Sequence, residues 1–261
     1  MKIIVCIKQV PDTTEVKLDP KTGRLIRDGV PSIINPDDKN ALEEALRIKD
    51  ENSDTTVTVV SMGPPQADVA MREALAMGAD EPILISGREF GGSDTWATSY
   101  IIATAIKKIP DYDIIFCGRQ AIDGDTAQVG PQIAEQLNIP QITYVQKLDI
   151  EGDKVIVQRQ LEDGYTVVEA KMPVLLTAIK ELNTPRYMTP KGIFEAYNKT
   201  VQVWGFNDVP VDAEKIGLKG SPTNVNRTFS PEAKGKGIML EGADKETVKT
   251  LIAKLDEKHL L

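Results

Sequence analysis

The stretch from Cys117 to Gln132 holds the residues whose types and spacing are best suited to chemistry. The apolar run 113–117 just before it predicts a short, fully buried strand. From Val129 to Leu137 apolar residues recur at helical spacing, and the Asn-Ile-Pro sequence that follows ends the helix. A polar loop rich in Gly and Asp lies between them. The sequence therefore predicts a strand–loop–helix unit.

The start of that helix suits a phosphate. Asp125 or Thr126 can cap it, and a helix N-terminus offers free backbone N–H groups and the positive end of a dipole. An ordinary strand–helix loop stays open as the alternative, because Gly124 and Gly130 complete neither a Walker A sequence nor a GxGxxG motif. Asp123 and Asp125 resemble a metal pair, but a solvated helix-start role is favoured, since no further ligand cluster accompanies them.

Composition excludes several classes of function. The 261 residues are 41% hydrophobic and 27% charged, as in a globular protein with a substantial core. A net charge of −8 argues against a nucleic-acid surface. We expect no signal peptide and no membrane insertion, because the chain runs straight into a strand at 3–7 and no apolar run has spanning length.

Nucleophilic and zinc chemistry are disfavoured. The only histidine, His259, lies beside the end of the sequence, which argues against Ser-His and Cys-His catalysis. Cys6 and Cys117 both fall in predicted buried strands, so we expect reduced core thiols and a cytoplasmic location. No catalytic residue and no metal ligand is predicted.

The order of elements predicts an α/β fold. The predicted elements are a strand at 2–8, a hairpin of 16–18 and 24–26, a helix at 36–50 capped by Asn35, a strand at 55–61, a helix at 66–77, a strand at 81–85 and a helix near 93–109 capped by Ser93 or Asp94. This alternation is typical of a doubly wound, mostly parallel sheet. Ligands collect at the carboxyl ends of such strands, where four loops meet: after Ile7, before the 36–50 helix, at 62–64 and at 121–128.

The pattern changes after residue 140. Four segments predict antiparallel hairpins that extend the sheet, at 141–150, 154–160, 165–170 and 174–178. Residues 182–197 look irregular, and 205–242 are polar with scattered Gly and Pro. A final helix at 243–257 carries an apolar face of Val248, Leu251, Ile252 and Leu255. We expect a nucleotide-binding domain at 1–204 and, at 205–261, an arm and helix that dock on a partner, the alternative being a helix packed on its own domain.

The residues also resemble a known family, the beta (small) subunits of electron-transfer flavoproteins. Five segments carry the resemblance: Val5–Asp12, Asn35–Pro36, Ala74–Asp80, Gly118–Asp125 and Leu182–Tyr187. It implies a Rossmann-like domain in a heterodimer, with an arm around an alpha subunit that carries a shuttling FAD. In the family, the beta subunit binds AMP or, in electron-bifurcating members, a second FAD.

The resemblance also implies site residues. Segments 90–99 and 123–131 resemble those of bifurcating members, and Gly91-Gly92 could let a flat ring lie on the backbone, although a plain helix start fits 90–99 as well. The implied cofactor-binding residues are Cys6, Asn35, Pro36, Asp37, Asp38, Met62, Asp94, Thr95, Asp123, Gly124, Asp125, Thr126, Ala127, Gln128, Val129, Gly130, Pro131, Gln132, Ile133, Ala134 and Glu135.

Three functions stay open at this point. The first is an electron-transfer subunit whose FAD accepts hydride from NADH and bifurcates electrons toward the alpha-subunit FAD with an acyl-CoA dehydrogenase and toward ferredoxin or flavodoxin. The second is a non-bifurcating subunit with structural AMP, and the third is an unrelated nucleotide-binding α/β domain. Residues 189–195 match the partner-recognition loop of the family without its leucine anchor or its lysine-rich run.

Overall fold

The computed structural model describes residues 1–12, 31–226, 235 and 237–261, so the predicted hairpin of 16–18 and 24–26 lies outside the described residues. The helices are α1 (Pro36–Glu51), α2 (Asp68–Met77), α3 (Thr95–Ile106), α4 (Val129–Leu137), α5 (Pro190–Asn198) and α6 (Lys245–Glu257). The strands are β1 (Lys2–Cys6), β2 (Gln9–Pro11), β3 (Ser32–Ile34), β4 (Thr56–Met62), β5 (Glu81–Ile85), β6 (Ile114–Gly118), β7 (Gln141–Glu151), β8 (Lys154–Gln160), β9 (Tyr165–Lys171), β10 (Val174–Ala178) and β11 (Gln202–Trp204).

Within the described ranges, nine strands form one sheet in the order β11-β5-β4-β1-β6-β10-β7-β8-β9. Pairing is parallel from β11 to β7 and antiparallel for β7–β8 and β8–β9. This is the predicted Rossmann-like, doubly wound sheet with an antiparallel extension, and the fold class is confirmed. The short strands β2 and β3 pair separately and were not predicted from the sequence.

Two apolar layers cover the central sheet. Leu42 and Leu46 of α1 and Met71 of α2 pack on one face together with Ile3 and Val5. The other face packs against α3 and α4, which supply residues such as Ile101 and Ile133. Because the buried strands are apolar on both faces, they read in the sequence as continuous apolar runs rather than as alternating patterns.

One predicted hairpin strand is wrong. Val174–Ala178 does not continue the antiparallel extension but returns to the centre of the sheet as β10, parallel to both β6 and β7. All five of its residues are buried. Burial on both faces is typical of a central parallel strand, so the nearly continuous apolar run, interrupted only by Thr177, was the signal that distinguishes it from its alternating neighbours.

The predicted irregular segment also contains regular structure. The helix α5 begins at Pro190, and the hydroxyl of Thr189 accepts a hydrogen bond from the N–H of Gly192. A Thr followed by Pro is typical of a helix start, with Thr as N-cap and Pro at the first helical position.

The described chain divides into two compact units, Met1–Val225 and Asn226–Leu261. The segment that follows residue 204 packs on the first unit, since Val209 and Ile216 are buried in its core. The sequence boundary at 204/205 therefore lies upstream of the boundary between the compact units. In the second unit, Asp244 caps α6 through the N–H of Thr247, and Val248, Leu251 and Ile252 are each about half exposed.

Candidate functional site

The site forms where the order of the strands in the sheet reverses, at β1. The chain leaves β1 toward β4 on one side, whereas β6 lies on the other side of β1. Ligands of open parallel sheets bind at such a switch point, outside the carboxyl ends of the strands. The space outside the carboxyl ends of β1 and β6 is called the crevice below. Cys6 and Cys117 mark these ends as register partners on β1 and β6, and both are free thiols. A hydrogen bond with Cys6 and burial raise the pKa of Cys117.

Asp38, in the first turn of α1, ties the two strand ends together. Its Oδ2 accepts a hydrogen bond from the backbone N–H of Lys8 at 2.8 Å, and its Oδ1 accepts one from the N–H of Gly118 at 3.0 Å. Gly118 is required here, because a Cβ at that position would collide with Asp38 Oδ1 and lie 2.6 Å from Asp38 N. Burial raises the pKa of Asp38 from 3.8 to about 7.

Asn35 fixes the loop that follows β6. The sequence predicted it as the side-chain cap of α1, but its amide turns outward from the helix start. Its Nδ2 donates to the carbonyl of Gln120 at 2.8 Å, and its Oδ1 accepts from the N–H of Ile122 at 3.0 Å. The physical reason is that two backbone partners in a neighbouring loop satisfy both ends of a fully buried amide.

Two ion pairs line the crevice. Lys8 Nζ lies 2.6 Å from Asp123 Oδ1, and the Asp123 side chain is only 8% exposed. The solvated helix-start role predicted for Asp123 is therefore wrong, because the lysine draws its carboxylate inward. Arg119 Nε lies 3.4 Å from Asp37 Oδ2, and the guanidinium lies over the ring of Tyr144. Burial raises the pKa of Asp37, and the charge of Arg119 opposes this shift.

The N-terminus of α4 is open to a ligand. Gln128 occupies the cap position, and no side chain of the described residues caps the helix, so the predicted capping by Asp125 or Thr126 is wrong. Asp125 and Ala127 have φ values of 52°, and such left-handed residues next to right-handed ones can turn successive N–H groups toward one side, as in the nests that bind anions. Gln132 Oε1 is buried without a hydrogen-bond partner among the described residues. Free N–H groups and an orphaned acceptor fit a nucleotide that supplies phosphate oxygens and a donor.

The start of α3 reaches the same loop. Thr95 Oγ1 donates a hydrogen bond to Gln128 Oε1 at 2.8 Å, so two of the implied site residues from separate segments are in contact. Asp94 caps α3 as predicted, through the N–H of Ala97, and its second oxygen accepts from the N–H of Thr223. Thr95 is therefore beside the loop, while both oxygens of Asp94 are occupied by backbone groups.

The glycine pair before α3 does not offer an open face at Gly92. A Cβ at Gly92 would lie 3.2 Å from Leu218 Cβ, because the segment after β11 packs over this turn. On the side of Gly92 toward which a Cβ would point, Leu218 therefore leaves no room for the flat ring that the sequence suggested on Gly91-Gly92. Ser221 holds the segment in place, since its hydroxyl accepts a hydrogen bond from the N–H of Asp94.

The implied residues do not all face the crevice. Ile133 and Ala134 are fully buried in the core under α4, whereas Glu135 is exposed. Cys6 and Met62, at the ends of β1 and β4, pack against the same core. The residues that the structure brings together around the crevice are Asn35, Asp37, Asp38, Asp123 and Asp125, and it adds Thr95 and Gln128 through their hydrogen bond.

Sequence reasoning missed two cations of the site, Lys8 and Arg119. Both lie inside segments that carry the family resemblance, Val5–Asp12 and Gly118–Asp125. Arg119 directly follows the carboxyl end of β6, and Lys8 follows the first loop residue after β1. The whole chain carries a net charge of −8. A basic side chain at that place in an acidic protein was the available signal.

A second cluster lies further along α1. Arg186 Nε donates to Glu43 Oε2 at 2.8 Å and its Nη2 donates to Glu43 Oε1 at 3.0 Å, so the guanidinium binds this carboxylate through two nitrogens. The same Nη2 reaches Asp50. The next residue, Tyr187, is 95% exposed, and Phe194 and Tyr197 of α5 are largely exposed as well. The cluster thus fixes the start of a segment that presents aromatic side chains at the surface.

Comparison with known proteins assigns the family. The family model described as the electron transfer flavoprotein domain matches residues 22–209. An electron transfer flavoprotein subunit beta of Thermoanaerobacterium thermosaccharolyticum is 62% identical over 262 residues, and one of Clostridium acetobutylicum is 59% identical over 261 residues. The caffeyl-CoA reductase-Etf complex subunit CarD of Acetobacterium woodii is 58% identical over 262 residues. Each match covers the whole of both chains.

The chain belongs to the electron transfer flavoprotein family, as a beta subunit. Beta subunits of this family pair with an alpha subunit, associate with flavin or AMP, and link to dehydrogenases or reductases. The unrelated α/β domain kept as a third possibility is thereby excluded. In the described ranges, no helix combines the length and the apolar character needed to cross a bilayer.

Proposed function

We propose that this beta subunit holds FAD in the crevice outside the carboxyl ends of β1 and β6 and works as the NADH-oxidising part of an electron-bifurcating heterodimer. The observation that carries the proposal is the contact between Thr95 and Gln128 at 2.8 Å. It joins the two segments, 90–99 and 123–131, whose sequences resemble bifurcating members. A ligand longer than AMP could use both segments at once.

The residues of this chain bind and orient; they need not react. A bound flavin would supply the redox chemistry, by accepting a hydride from NADH and passing its two electrons on singly, one toward the alpha-subunit FAD and one toward ferredoxin or flavodoxin. The open N-terminus of α4 would hold the diphosphate through the N–H groups of residues 126–129. Gly124 leaves room for close approach, since no atom lies within 4 Å of a Cβ placed there.

The alternative is a subunit with structural AMP that passes electrons between a dehydrogenase and an acceptor through the alpha-subunit FAD. One observation favours it: Leu218 covers the Gly92 face where a flat ring was expected. An AMP would need only the phosphate-binding loop and the crevice beside Asn35.

We also propose two surfaces for protein partners. The first is the apolar face of α6, on which Val248, Leu251 and Ile252 are about half exposed. This face would dock on the alpha subunit, as part of an arm formed by residues 205–261. The exposed aromatics Tyr187, Phe194 and Tyr197 would contact an acyl-CoA dehydrogenase-type enzyme.

The arm is tested by deletion of residues 240–261, which should abolish the heterodimer and leave the first unit folded. A truncated chain that copurifies with the alpha subunit at full yield would contradict the arm assignment.

The deciding experiment is cofactor stoichiometry of the purified heterodimer. Two flavins per dimer and rapid bleaching of the flavin absorbance by NADH are expected. One flavin with stoichiometric AMP, retained after reconstitution with excess FAD, would establish the alternative.

Thr95→Val removes the hydroxyl that contacts Gln128 and should weaken the binding of FAD more than that of AMP. Thr104→Val, an exchange of the same type on the same helix, is the matched control, because among the described residues Thr104 Oγ1 donates only to the Tyr100 carbonyl.

A further inference from the structure

Asn35 and Asp38 lie in the predicted cofactor-binding set, yet their side chains have almost no free surface. Asn35 is 0% exposed and Asp38 is 7% exposed. Both heteroatoms of the Asn35 amide and both oxygens of the Asp38 carboxylate already have backbone partners. A ligand in the crevice could reach these groups only by displacing hydrogen bonds that are 2.8 to 3.0 Å long.

The two side chains fix the backbone of the loop that leads from β6 to α4. Asn35 binds the backbone on both sides of Ala121, and the carbonyl of Ala121 accepts hydrogen bonds from the N–H groups of Gly124 and Asp125. Asp38 fixes the start of the same path at Gly118. The turn at 121–125 leads directly into the residues that offer N–H groups to a phosphate. Its position therefore depends on two side chains of the preceding α1 region.

Lys8 is held by the same arrangement. Its backbone N–H donates to Asp38, while its Nζ pairs with Asp123 at 2.6 Å. Asp38 therefore fixes the loop at both ends, directly at Gly118 and through the lysine at Asp123. A backbone fixed in advance in the geometry that its ligand needs raises affinity, because less ordering is needed on binding.

We propose that Asn35 and Asp38 are positioning residues, which act on the nucleotide through the loop 118–125 and do not touch it. This inference rests on the proposed nucleotide site. The loop serves the phosphate end that AMP, ADP and FAD have in common. Loss of Asn35 therefore lowers the affinity for all three ligands by the same factor. A residue that contacts the flavin ring, which AMP and ADP lack, would weaken FAD alone.

The test uses the heterodimer stripped of nucleotide and titrated separately with AMP, ADP and FAD. Asn35→Ala removes both hydrogen bonds to the loop and should raise Kd about tenfold for every ligand that the wild-type complex binds. Asn35→Asp keeps the acceptor for the Ile122 N–H but loses the donor to Gln120, and should give an intermediate loss. This milder variant decides the question if Asn35→Ala does not fold.

Asn40→Ala is the matched control. Asn40 is a buried asparagine of the same helix, and its Nδ2 donates to the Asn183 carbonyl at 2.8 Å, away from the crevice. Its loss should lower the unfolding midpoint and leave all three Kd values unchanged. A loss confined to one ligand at Asn35, or an unchanged Kd in both Asn35 variants, would overturn the positioning role. A wild-type complex that binds none of the ligands would instead refute the proposed site.

Discussion

The two ends of α1 hold their neighbours by different means. Near its start, Asn35 and Asp38 bind backbone groups of the strand ends and of the loop after β6. In its second half, Glu43 binds the side chain of Arg186, and Glu44 accepts a hydrogen bond from the amide of Asn183. The first end therefore fixes backbone geometry around a crevice, whereas the second anchors a chain segment that carries the exposed Tyr187.

The electrostatic consequences differ as well. Asp38 is satisfied by N–H dipoles without a cation as its hydrogen-bond partner, and burial raises its pKa to about 7. At the other end, the hydrogen bond to Glu43 raises the pKa of Arg186, because the carboxylate stabilises the guanidinium charge. Backbone partners hold a group in one precise place, and charge partners hold it by attraction that solvent and salt can weaken. Substitutions at the two ends of α1 should therefore differ in whether they change nucleotide binding or stability alone.

The largest effect is expected at Gly118. Gly118→Val places a Cβ against Asp38 Oδ1 and 2.6 Å from Asp38 N, so β6 and α1 must separate. Overpacking against backbone should lower the free energy of unfolding by about 3 kcal/mol and abolish nucleotide binding. Urea denaturation and nucleotide content measure both. Gly124→Val is the control: its Cβ meets no protein atom within 4 Å, so stability should be kept while the ligand is lost.

A second prediction concerns the pH dependence of stability. The pKa of Asp38 rises from 3.8 to about 7 on folding, so between these values the folded state binds a proton that the unfolded state has released. The free energy of unfolding should therefore fall as pH rises from 4 to 7.5, with an Asp38 contribution of at most about 4 kcal/mol. Asp38→Asn should remove this slope in urea titrations at each pH. An identical slope in both proteins would contradict it.

At the other end of α1, Arg186→Ala should cost less. It leaves the Glu43 carboxylate, whose side chain is 6% exposed, without its guanidinium partner. We expect a loss of about 2 kcal/mol in the free energy of unfolding, with nucleotide affinity unchanged. Lys191→Ala breaks the exposed pair with Glu195 and should cost less than about 1 kcal/mol. A fall in nucleotide affinity in Arg186→Ala would show that the two ends are not separate.

Local signals in the sequence predicted the sheet and the place of the site. The alternation of apolar strands and amphipathic helices gave the doubly wound order, and the polar loop after β6 marked the crevice. Asp94 was one of the two predicted caps of α3 and is the observed one, and the predicted last helix at 243–257 matches α6 (Lys245–Glu257) closely. These features depend on short stretches of chain, so a single sequence is sufficient to find them.

Contacts between distant segments could not be predicted in this way. Asn35 fits an N-cap by local rules, but its partners are 85 and 87 residues away. The central place of β10 depends on which strands it pairs with, and the cover of Leu218 on Gly92 depends on where the chain after β11 returns. Such pairings follow from tertiary packing and leave no local pattern.

Hydrogen exchange of the heterodimer with and without bound nucleotide tests the central claim most directly. If the ligand lies against the loop after β6 and the start of α4, nucleotide should slow exchange at the N–H groups of Gly124, Thr126, Gln128 and Val129. Exchange in α5, which packs against α2, should not change. Protection that appears in α5, or none in the loop 118–129 when nucleotide is bound at full occupancy, would contradict the account.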